Sequence, residues 1–271
     1  MPGTLFVVAT PIGNLEDITI RALRVLREVA VIAAEDTRRT GHLLARHGIA
    51  TPTTSLHEHN EHRKSSAILA RLAQGDDVAL VSDAGTPTVS DPGSELIRVA
   101  IAGGIKVEPI PGPSAVLTAL TASGMDASQF TFLGFPPIKS KDRKLWFERL
   151  RSTRSTVVFF EAPHRIRATL SELREFLGDV EIVLGRELTK LHEEFVRGPI
   201  SWSFDRIMAP KGEFTVVLNV GHIPEHDDSR SVSTEVSRRE ELATLARSHG
   251  LTANQLYTAV EHAKKLVKRP T

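Results

Sequence analysis

The stretch VALVSDAGTP, residues 78–87, joins a short apolar run to a turn of small and polar residues. Its first part, VALV, is uniformly apolar, which is typical of a strand buried on both faces of a sheet. Gly85 and Pro87 follow closely, and both residue types favour turns and end regular secondary structure. The stretch therefore predicts a buried strand with a loop at its carboxyl end.

On both sides of this strand, apolar runs alternate with amphipathic stretches through the first half of the chain. Residues 5–9, 31–34 and 105–110 are strand-like, and helical patterns lie between them. Asp91 followed by Pro92 predicts a helix start, because aspartate caps helices and proline fits the first helical position. This β-α rhythm predicts a mainly parallel sheet with helices on both faces.

Four segments at the ends of predicted strands are rich in glycine, proline or polar residues. They are ATPIGN at 9–14, AEDTRRT at 34–40, SDAGTP at 82–87 and PIPGPSA at 109–115. Ligands of parallel α/β sheets bind beyond the carboxyl ends of the strands, and glycine lets a backbone approach a ligand closely. One such segment alone is more simply a tight turn, but four in one domain indicate a ligand crevice.

The second half of the chain predicts another α/β domain with mixed strand order. Its strands are predicted near 130–133, 157–160, 181–184 and 214–220, and its helices at 141–151 and 165–177. We expect domains at 1–120 and 121–223, then a linker and a small helical basic tail at 224–271. The tail carries Lys264, Lys265, Lys268 and Arg269.

Several classes of protein are excluded or disfavoured by what the sequence lacks. It has no cysteine, which excludes disulfides, thiolate metal sites and cysteine nucleophiles. No G-x-G-x-x-G follows the first strand, and neither a Walker phosphate loop nor a G-x-S-x-G elbow is present. Phosphate-bearing nucleotide cofactors are thereby disfavoured, whereas a phosphate-free cofactor such as S-adenosylmethionine remains open. No apolar run is long enough to span a bilayer, and we expect a cytoplasmic protein.

Three histidines, His57, His59 and His62, lie in the segment SLHEHNEHRK at 55–64. Their spacing fits no standard zinc pattern, so we expect no metal here. The segment is interpreted either as a polar loop that opens a helix or as a loop that faces the substrate.

Charged residues follow two predicted strands of the second half. FFEAPHRI at 159–166 places Glu161 and Arg165 just after a buried strand, and GRELTK at 185–190 does the same with Lys190. These groups either bind a polar substrate or form a structural ion pair between neighbouring strands.

The strongest basic cluster is IKSKDRKLWFERLRSTR at 138–154, with seven cations against two anions. Basic residues interleaved with aromatics suit phosphate contact and base stacking. The alternative is an amphipathic helix with Leu145, Trp146 and Leu150 in the core and a solvated basic face. Trp146 therefore either stacks on a base or lies in the core.

The ordered motifs of this chain resemble those of the ribosomal RNA small subunit methyltransferase I family, within the tetrapyrrole methylase-like superfamily. The resemblance covers nearly the whole chain up to about residue 220. It rests on ATPIGNLEDIT, AEDTRRT, HEHNE, VSDAGTPTVSDPG, IPGPSA, FFEAPHR, GRELTK and KGEF.

The resemblance implies an α/β fold of two domains with a cleft between them that holds S-adenosylmethionine. By match to the family motifs, the implied cofactor-binding positions are Pro11, Asp83, Ala84, Gly85, Thr86, Ser114, Ala115, Ala162, Leu188 and Gly212, with Glu213 near the adenine. The implied reaction is 2′-O-methylation of a cytidine ribose in 16S ribosomal RNA of the small subunit. Homodimerisation is also implied.

Cations near the predicted crevice and in the basic cluster are the candidates for RNA contact. They are Arg38, Arg39, Lys139, Lys141, Arg143, Lys144 and Arg165. A base that takes the ribose proton would accelerate transfer; the candidates, which the sequence does not rank, are Glu35, Asp36, His57, Glu161 and Lys190. The competing functions are a tetrapyrrole methyltransferase and a non-catalytic RNA-binding protein of ribosome assembly.

Overall fold

The structure is a computed structural model that describes residues 1–57, 60–207, 211–221, 252 and 255, without the side chain of Asp205. The predicted linker and nearly all of the basic tail, and likewise His59, lie outside the described residues. One compact unit contains both sheets described below.

The first sheet contains five parallel strands. They are β1 Thr4–Val8, β2 Val31–Ala34, β3 Thr53–Ser55, β4 Val78–Val81 and β5 Lys106–Ile110, in the order β3-β2-β4-β1-β5. Every pair in this order is parallel, which confirms the predicted parallel sheet. β2 and β4 are buried at every position, as their apolar runs require.

Helices cover both faces of this sheet. They are α1 Ile20–Glu28, α2 Thr37–Arg46, α3 Glu61–Ala73 and α4 Ser94–Ala102. Alternate strand residues point to opposite faces: Ile32 and Val81 pack in one cluster with residues of α1 and α2. Val31 and Leu80 pack in the other with residues of α3 and α4. The period of two in the strands thus divides the core into two layers.

The helix start predicted at Asp91 and Pro92 is wrong. The helix α4 begins at Ser94, and its N-cap is Gly93 with φ +116°. A Cβ on Gly93 would lie 2.7 Å from Leu80 Cδ2, so a residue without a side chain is required between Pro92 and the helix. Asp91 is therefore free of a capping role and lies in a loop.

The second sheet has mixed strand directions. Its strands are β6 Phe130–Phe132, β7 Thr156–Glu161, β8 Glu181–Arg186, β9 Glu194–Pro199 and β10 Phe214–Asn219, in the order β6-β7-β10-β8-β9. Among the described strands of this sheet, only β6 and β7 pair in parallel. Its helices are α6 Ser140–Ser152, α7 Ile166–Leu177 and α8 Ile200–Arg206. The sequence did not predict β9 or α8.

The helix α5, Ala115–Ser123, joins the two halves. It contacts β7, β8 and β10, although it follows the last strand of the first sheet. A shared apolar cluster contains Ile12, Val116, Leu120 and Val217. The predicted domain boundary at residue 120 falls inside α5 and stays a prediction.

The aromatic residues of α6 lie in the core. Trp146 is 7% exposed, and its Nε1 donates a hydrogen bond to the Leu133 carbonyl at 3.1 Å. Phe147 and Leu150 are buried as well, whereas Leu145 is exposed. The core interpretation of Trp146 is therefore correct, base stacking by Trp146 is ruled out, and the placement of Leu145 in the core is wrong.

In the part of the chain that is described, no helix is long and apolar enough to cross a membrane.

Candidate active site

The four predicted crevice segments follow strands that are neighbours in the first sheet. β2, β4, β1 and β5 lie side by side, and the carboxyl ends of parallel strands meet at one edge. A cavity of about 400 Å³ lies there, within the size range of small-molecule sites. The first half contributes Ile12, Glu35, Arg39, residues 83–86, residues 89–91 and residues 114–116; the second contributes Phe135, residues 160–163 and residues 213–215.

The loop after β4 is tied to the loops after β1 and β5. Gly85 and Thr10 exchange two backbone hydrogen bonds, of 2.9 and 3.0 Å, and Thr86 Oγ1 donates to the Pro113 carbonyl at 3.2 Å. Gly85 has φ +77°, a conformation that favours glycine. Its position therefore explains why glycine occurs in this turn.

Asp83 connects the loops after β2 and β4. Its Oδ1 accepts a hydrogen bond from the Asp36 backbone N–H at 2.9 Å, and its Oδ2 lies 3.3 Å from an Arg39 guanidinium nitrogen. The Asp83 N–H in turn donates to Glu35 Oε2 at 3.3 Å. These contacts fix the Asp83 carboxylate at the wall of the cavity.

Three carboxyl groups, Glu35, Asp83 and Asp91, line the same part of the cavity. Burial raises the pKa of Asp91 to about 6, and the Glu35 and Asp83 carboxylates contribute to the rise. Burial also raises the pKa of Glu35, with a further contribution from Asp83. Loss of water and the neighbouring carboxylates thus make Asp91 and Glu35 better proton acceptors near neutral pH than ordinary carboxylates.

Asp91 is a residue that the sequence reasoning missed as a site candidate. Asp91 lies in the motif VSDPG, which the sequence had already singled out, but its predicted role as a helix cap gave no reason to consider it a site residue. Thr88 and Ser90, in the preceding segment, have φ of 70° and 69°. Such conformations are costly for residues with a Cβ and cluster at functional sites, so backbone strain marks this loop as well.

Glu161 lies in the cavity wall and is almost completely buried, at 1% exposure. Its Oε1 accepts from the Ala162 N–H at 2.8 Å and lies 3.3 Å from Arg165 Nε, and its Oε2 accepts from Thr169 Oγ1 at 2.5 Å. Arg165 also donates to the Pro136 carbonyl. This is a structural ion pair within one segment, not the pair between neighbouring strands considered from the sequence, and it holds the Ala162 backbone in the wall.

Lys190 lies outside the cavity lining, between two carboxylates. Its Nζ is 2.9 Å from Glu187 Oε1 and 3.2 Å from Glu213 Oε2. Burial lowers the pKa of Lys190, but its hydrogen bonds to Glu187 and Glu213 outweigh that effect and leave the pKa above its ordinary value. Lys190 is therefore a cation at neutral pH and holds Glu213 beside the cavity.

The predicted cofactor positions divide into those that line the cavity and those that do not. Asp83, Ala84, Gly85, Thr86, Ser114, Ala115, Ala162 and Glu213 line it; Pro11, Leu188 and Gly212 do not. Leu188 belongs to the apolar cluster that also contains Ile12. Gly212 has φ +85°, and a Cβ there would lie 2.4 Å from Glu187 Cγ, so Gly212 lets Glu187 pack beside Glu213.

Two further base candidates, Asp36 and His57, also lie outside the lining. Asp36 caps α2 and accepts hydrogen bonds from the Arg38 backbone and side chain. The Arg38 hydrogen bonds lower the pKa of Asp36. The His57 Nε2 lies 2.9 Å from the Asn60 side-chain nitrogen.

The two described histidines of residues 55–64, His57 and His62, contact different residues. His62 Nδ1 lies 3.3 Å from Glu95 Oε1, whereas His57 contacts Asn60. Among the described residues, no group of three histidine or carboxylate side chains is arranged to hold a metal ion. Because His59 is outside them, the absence of metal stays a prediction.

The basic cluster divides into exposed and internal cations. Lys139, Lys141 and Lys144 are exposed. The Arg143 side chain is only 13% exposed; it contacts Glu172 at 2.8 Å and also donates to Thr169 and to the Pro137 carbonyl. Since these contacts occupy its guanidinium, Arg143 has a structural role within the second half.

The architecture and the cavity define a class of methyltransferase fold. Residues 4–202 match the family described as Tetrapyrrole (Corrin/Porphyrin) Methylases. Uroporphyrin-III-C-methyltransferase from Thermus thermophilus is similar, with a TM-score of 0.58 and 20% identity over 81% of this chain and 96% of that one. A diphthine synthase has a TM-score of 0.64 and 18% identity, covering 80% and 90%. The predicted fold class is thereby confirmed.

Comparison with curated relatives identifies the family within this class of methyltransferase fold. Ribosomal RNA small subunit methyltransferase I of Synechocystis sp. is 44% identical over 270 residues, or 98% of this chain and 95% of the relative. The protein of that name from Pseudomonas aeruginosa is 42% identical over 269 residues, covering 94% and 95%. The chain belongs to the ribosomal RNA small subunit methyltransferase I family, as its motifs predict.

Proposed function

We propose that the protein transfers a methyl group from S-adenosylmethionine to the 2′-hydroxyl of a cytidine in 16S ribosomal RNA. The observation that carries this proposal is the identity of more than 40% with ribosomal RNA small subunit methyltransferases I along nearly the whole of both chains. The cavity at the carboxyl edge of the first sheet supplies a place for the methyl donor. The cytidine and its 2′-oxygen come from the family resemblance.

The chemistry of the cavity fits this donor. The carboxyl groups of Glu35, Asp83 and Asp91 face it and favour a ligand with a sulfonium and an ammonium group over a phosphate-bearing one. Ala84, Ala115 and Ala162 offer small apolar surfaces for a flat base or a thioether chain. A related uroporphyrin-III C-methyltransferase, at 19% identity, was solved with S-adenyl homocysteine.

The residues of the protein mainly have to align the reacting groups. When bound, S-adenosylmethionine supplies a methyl group that is already activated as a sulfonium. Fixed orientation contributes roughly 7–11 kcal/mol to such a transfer. The tied loops after β1, β4 and β5 provide this rigidity, because backbone hydrogen bonds join Thr10 to Gly85 and the Thr86 hydroxyl donates to the Pro113 carbonyl.

Asp91 is the best candidate to accept the ribose proton. Lys190 is protonated, Asp36 is engaged by Arg38, and both oxygens of Glu161 have hydrogen-bond partners. Asp91 lines the cavity and has a pKa of about 6, near the value that suits a general base at neutral pH. Glu35, beside it, helps keep that pKa high.

We propose that exposed cations bind the 16S ribosomal RNA of the small subunit. Lys139, Lys141 and Lys144 supply exposed positive charge, and Arg38 and Arg39, whose side chains are 87% and 63% exposed, supply more near the cavity. A homodimer, which the family resemblance implies, and a cytoplasmic location, which the absence of cysteine favours, accompany this proposal.

Changing Lys139, Lys141 and Lys144 to glutamine should flatten the salt dependence of RNA binding. Each phosphate contact contributes about 0.7–0.9 to the log–log slope, so three lost contacts amount to roughly two to three units. The measurement is the dissociation constant for small-subunit RNA at several salt concentrations. The control replaces exposed Arg24, Arg46 and Arg98, which changes the charge equally; if both variants flatten the slope alike, the cluster is no specific RNA surface.

The test of the function uses labelled S-adenosylmethionine with small subunits that lack this modification. Labelled RNA that yields 2′-O-methylcytidine on digestion to nucleosides supports the proposal. Label on another atom or nucleoside refutes the finer assignment. A free porphyrinogen is offered in parallel, because the fold also occurs in a tetrapyrrole methyltransferase; label found only there would replace RNA as the substrate.

A further inference from the structure

We propose that the ring of Phe135 is the stacking platform for the nucleobase of the nucleotide that is methylated. This inference rests on the proposed function and names the residue that positions the substrate next to the methyl donor. It is drawn from the placement of one half-exposed aromatic side chain in the cavity wall.

Phe135 is both exposed and part of the cavity wall. It is 50% exposed, and it lines the cavity beside Phe160. The two ring centroids are 5.4 Å apart, and Phe160 packs edge-on against Phe132 at 4.9 Å. An isolated exposed phenylalanine needs no explanation, but this ring lies in the cavity wall, is supported by Phe160 and keeps an exposed surface.

The backbone around Phe135 is held on both sides. The Gly134 carbonyl accepts from the Phe160 N–H at 2.9 Å. Arg165 donates to the carbonyl of Pro136, and Arg143 donates to that of Pro137 at 3.1 Å. Two prolines with fixed φ follow the ring. The exposure of Phe135 therefore belongs to an ordered segment, and a ligand that stacks on it pays little ordering entropy.

The surroundings of Phe135 favour a nucleotide over the adenine of the cofactor as its occupant. The exposed cations Lys139 and Lys141 follow Phe135 by four and six residues, so a nucleotide stacked on the ring would have positive charge close by along the chain. Half of the Phe135 side chain is exposed, so a base can reach the ring. Stacking on an aromatic ring beside a basic surface is a common way to hold an unpaired base.

The test compares Phe135→Leu and Phe135→Trp with the wild type. Loss of one stacked base weakens binding by about 5- to 100-fold, so Phe135→Leu should raise the KM for small subunits by that factor. Phe135→Trp should restore it, because the larger ring still stacks. The affinity for S-adenosylhomocysteine, measured by calorimetry, and the melting temperature should stay at wild-type values. Phe130→Leu is the matched control, since Phe130 is 38% exposed and lies outside the cavity lining.

The outcomes separate this inference from the proposed function. An unchanged KM in Phe135→Leu, with an active wild type, overturns the platform and leaves the methyltransferase function standing. A parallel loss of S-adenosylhomocysteine affinity assigns the ring to the cofactor and also overturns it. If the wild type methylates no ribosomal RNA, the proposed function fails first, and the platform fails with it.

Discussion

Replacing Asp91 by asparagine is expected to slow methyl transfer by about 100- to 10,000-fold, the usual contribution of a positioned general base. The asparagine side chain keeps the size of the carboxyl group but cannot take the ribose proton. The wild-type rate should fall as the pH drops through about 6, because protonation of Asp91 blocks the same step. The measurement is single-turnover methylation of small subunits across the pH range.

Stability measurements separate this loss from misfolding. The pKa of Asp91 is raised in the folded protein, so the folded state binds more protons than the unfolded one between about pH 4 and 6. Stability from this group is present at low pH and is lost as the pH rises through about 6. Asparagine is neutral at every pH, and Asp91→Asn should be at least as thermally stable as the wild type at pH 7.5.

Asp126→Asn provides the matched control for Asp91. The Asp126 side chain is exposed and accepts hydrogen bonds from Ser128 in its own turn, so its replacement should leave the rate unchanged. A rate for Asp91→Asn within threefold of wild type would remove Asp91 as the proton acceptor. Glu35→Gln and His57→Gln would then be the next variants to test.

Replacing Asp83 by alanine is expected to weaken the binding of S-adenosylmethionine by at least tenfold. Hydrogen bonds to a charged group contribute about 1.5–3 kcal/mol, and the Asp83 carboxylate lies in the wall directly before Ala84 and Gly85. The variant also removes the acceptor of the Asp36 N–H and the partner of Arg39. Both effects act on the same loops, and both lower the affinity measured by calorimetry.

Asp76→Ala is the control for the Asp83 variant. Asp76 forms a surface ion pair with Arg71 at 2.8 Å and lies outside the cavity lining, so its loss should leave the affinity at the wild-type value. Asp83→Asn adds a test of charge, because it keeps the shape and removes the negative charge. A folded Asp83→Ala protein with wild-type affinity would exclude Asp83 from the cofactor site.

Much of the cavity could be predicted from local sequence. Glycine, proline and polar residues after short apolar runs identified the loops that contain Asp83, Gly85 and Ser114. Parallel strands bring their carboxyl ends to one edge whatever their order, so the strand order was not needed for that prediction. The strand β9 was missed because EFVRGP contains glycine, proline and charged residues that weigh against a strand, whereas its pairing with β8 is a long-range contact.

The sequence by itself determined the family, the parallel sheet and the loops that line the cavity, because these follow from apolar periodicity and from short motifs. Only the tertiary structure decided the roles of charged and aromatic side chains. The Arg143 guanidinium donates hydrogen bonds to Glu172 and Thr169 and therefore does not belong to the exposed RNA-binding surface. Trp146 is buried in the core. Asp91 becomes a candidate base because burial and two neighbouring carboxylates raise its pKa. Burial and charge pairing depend on residues far apart in the chain, and no local pattern contains them.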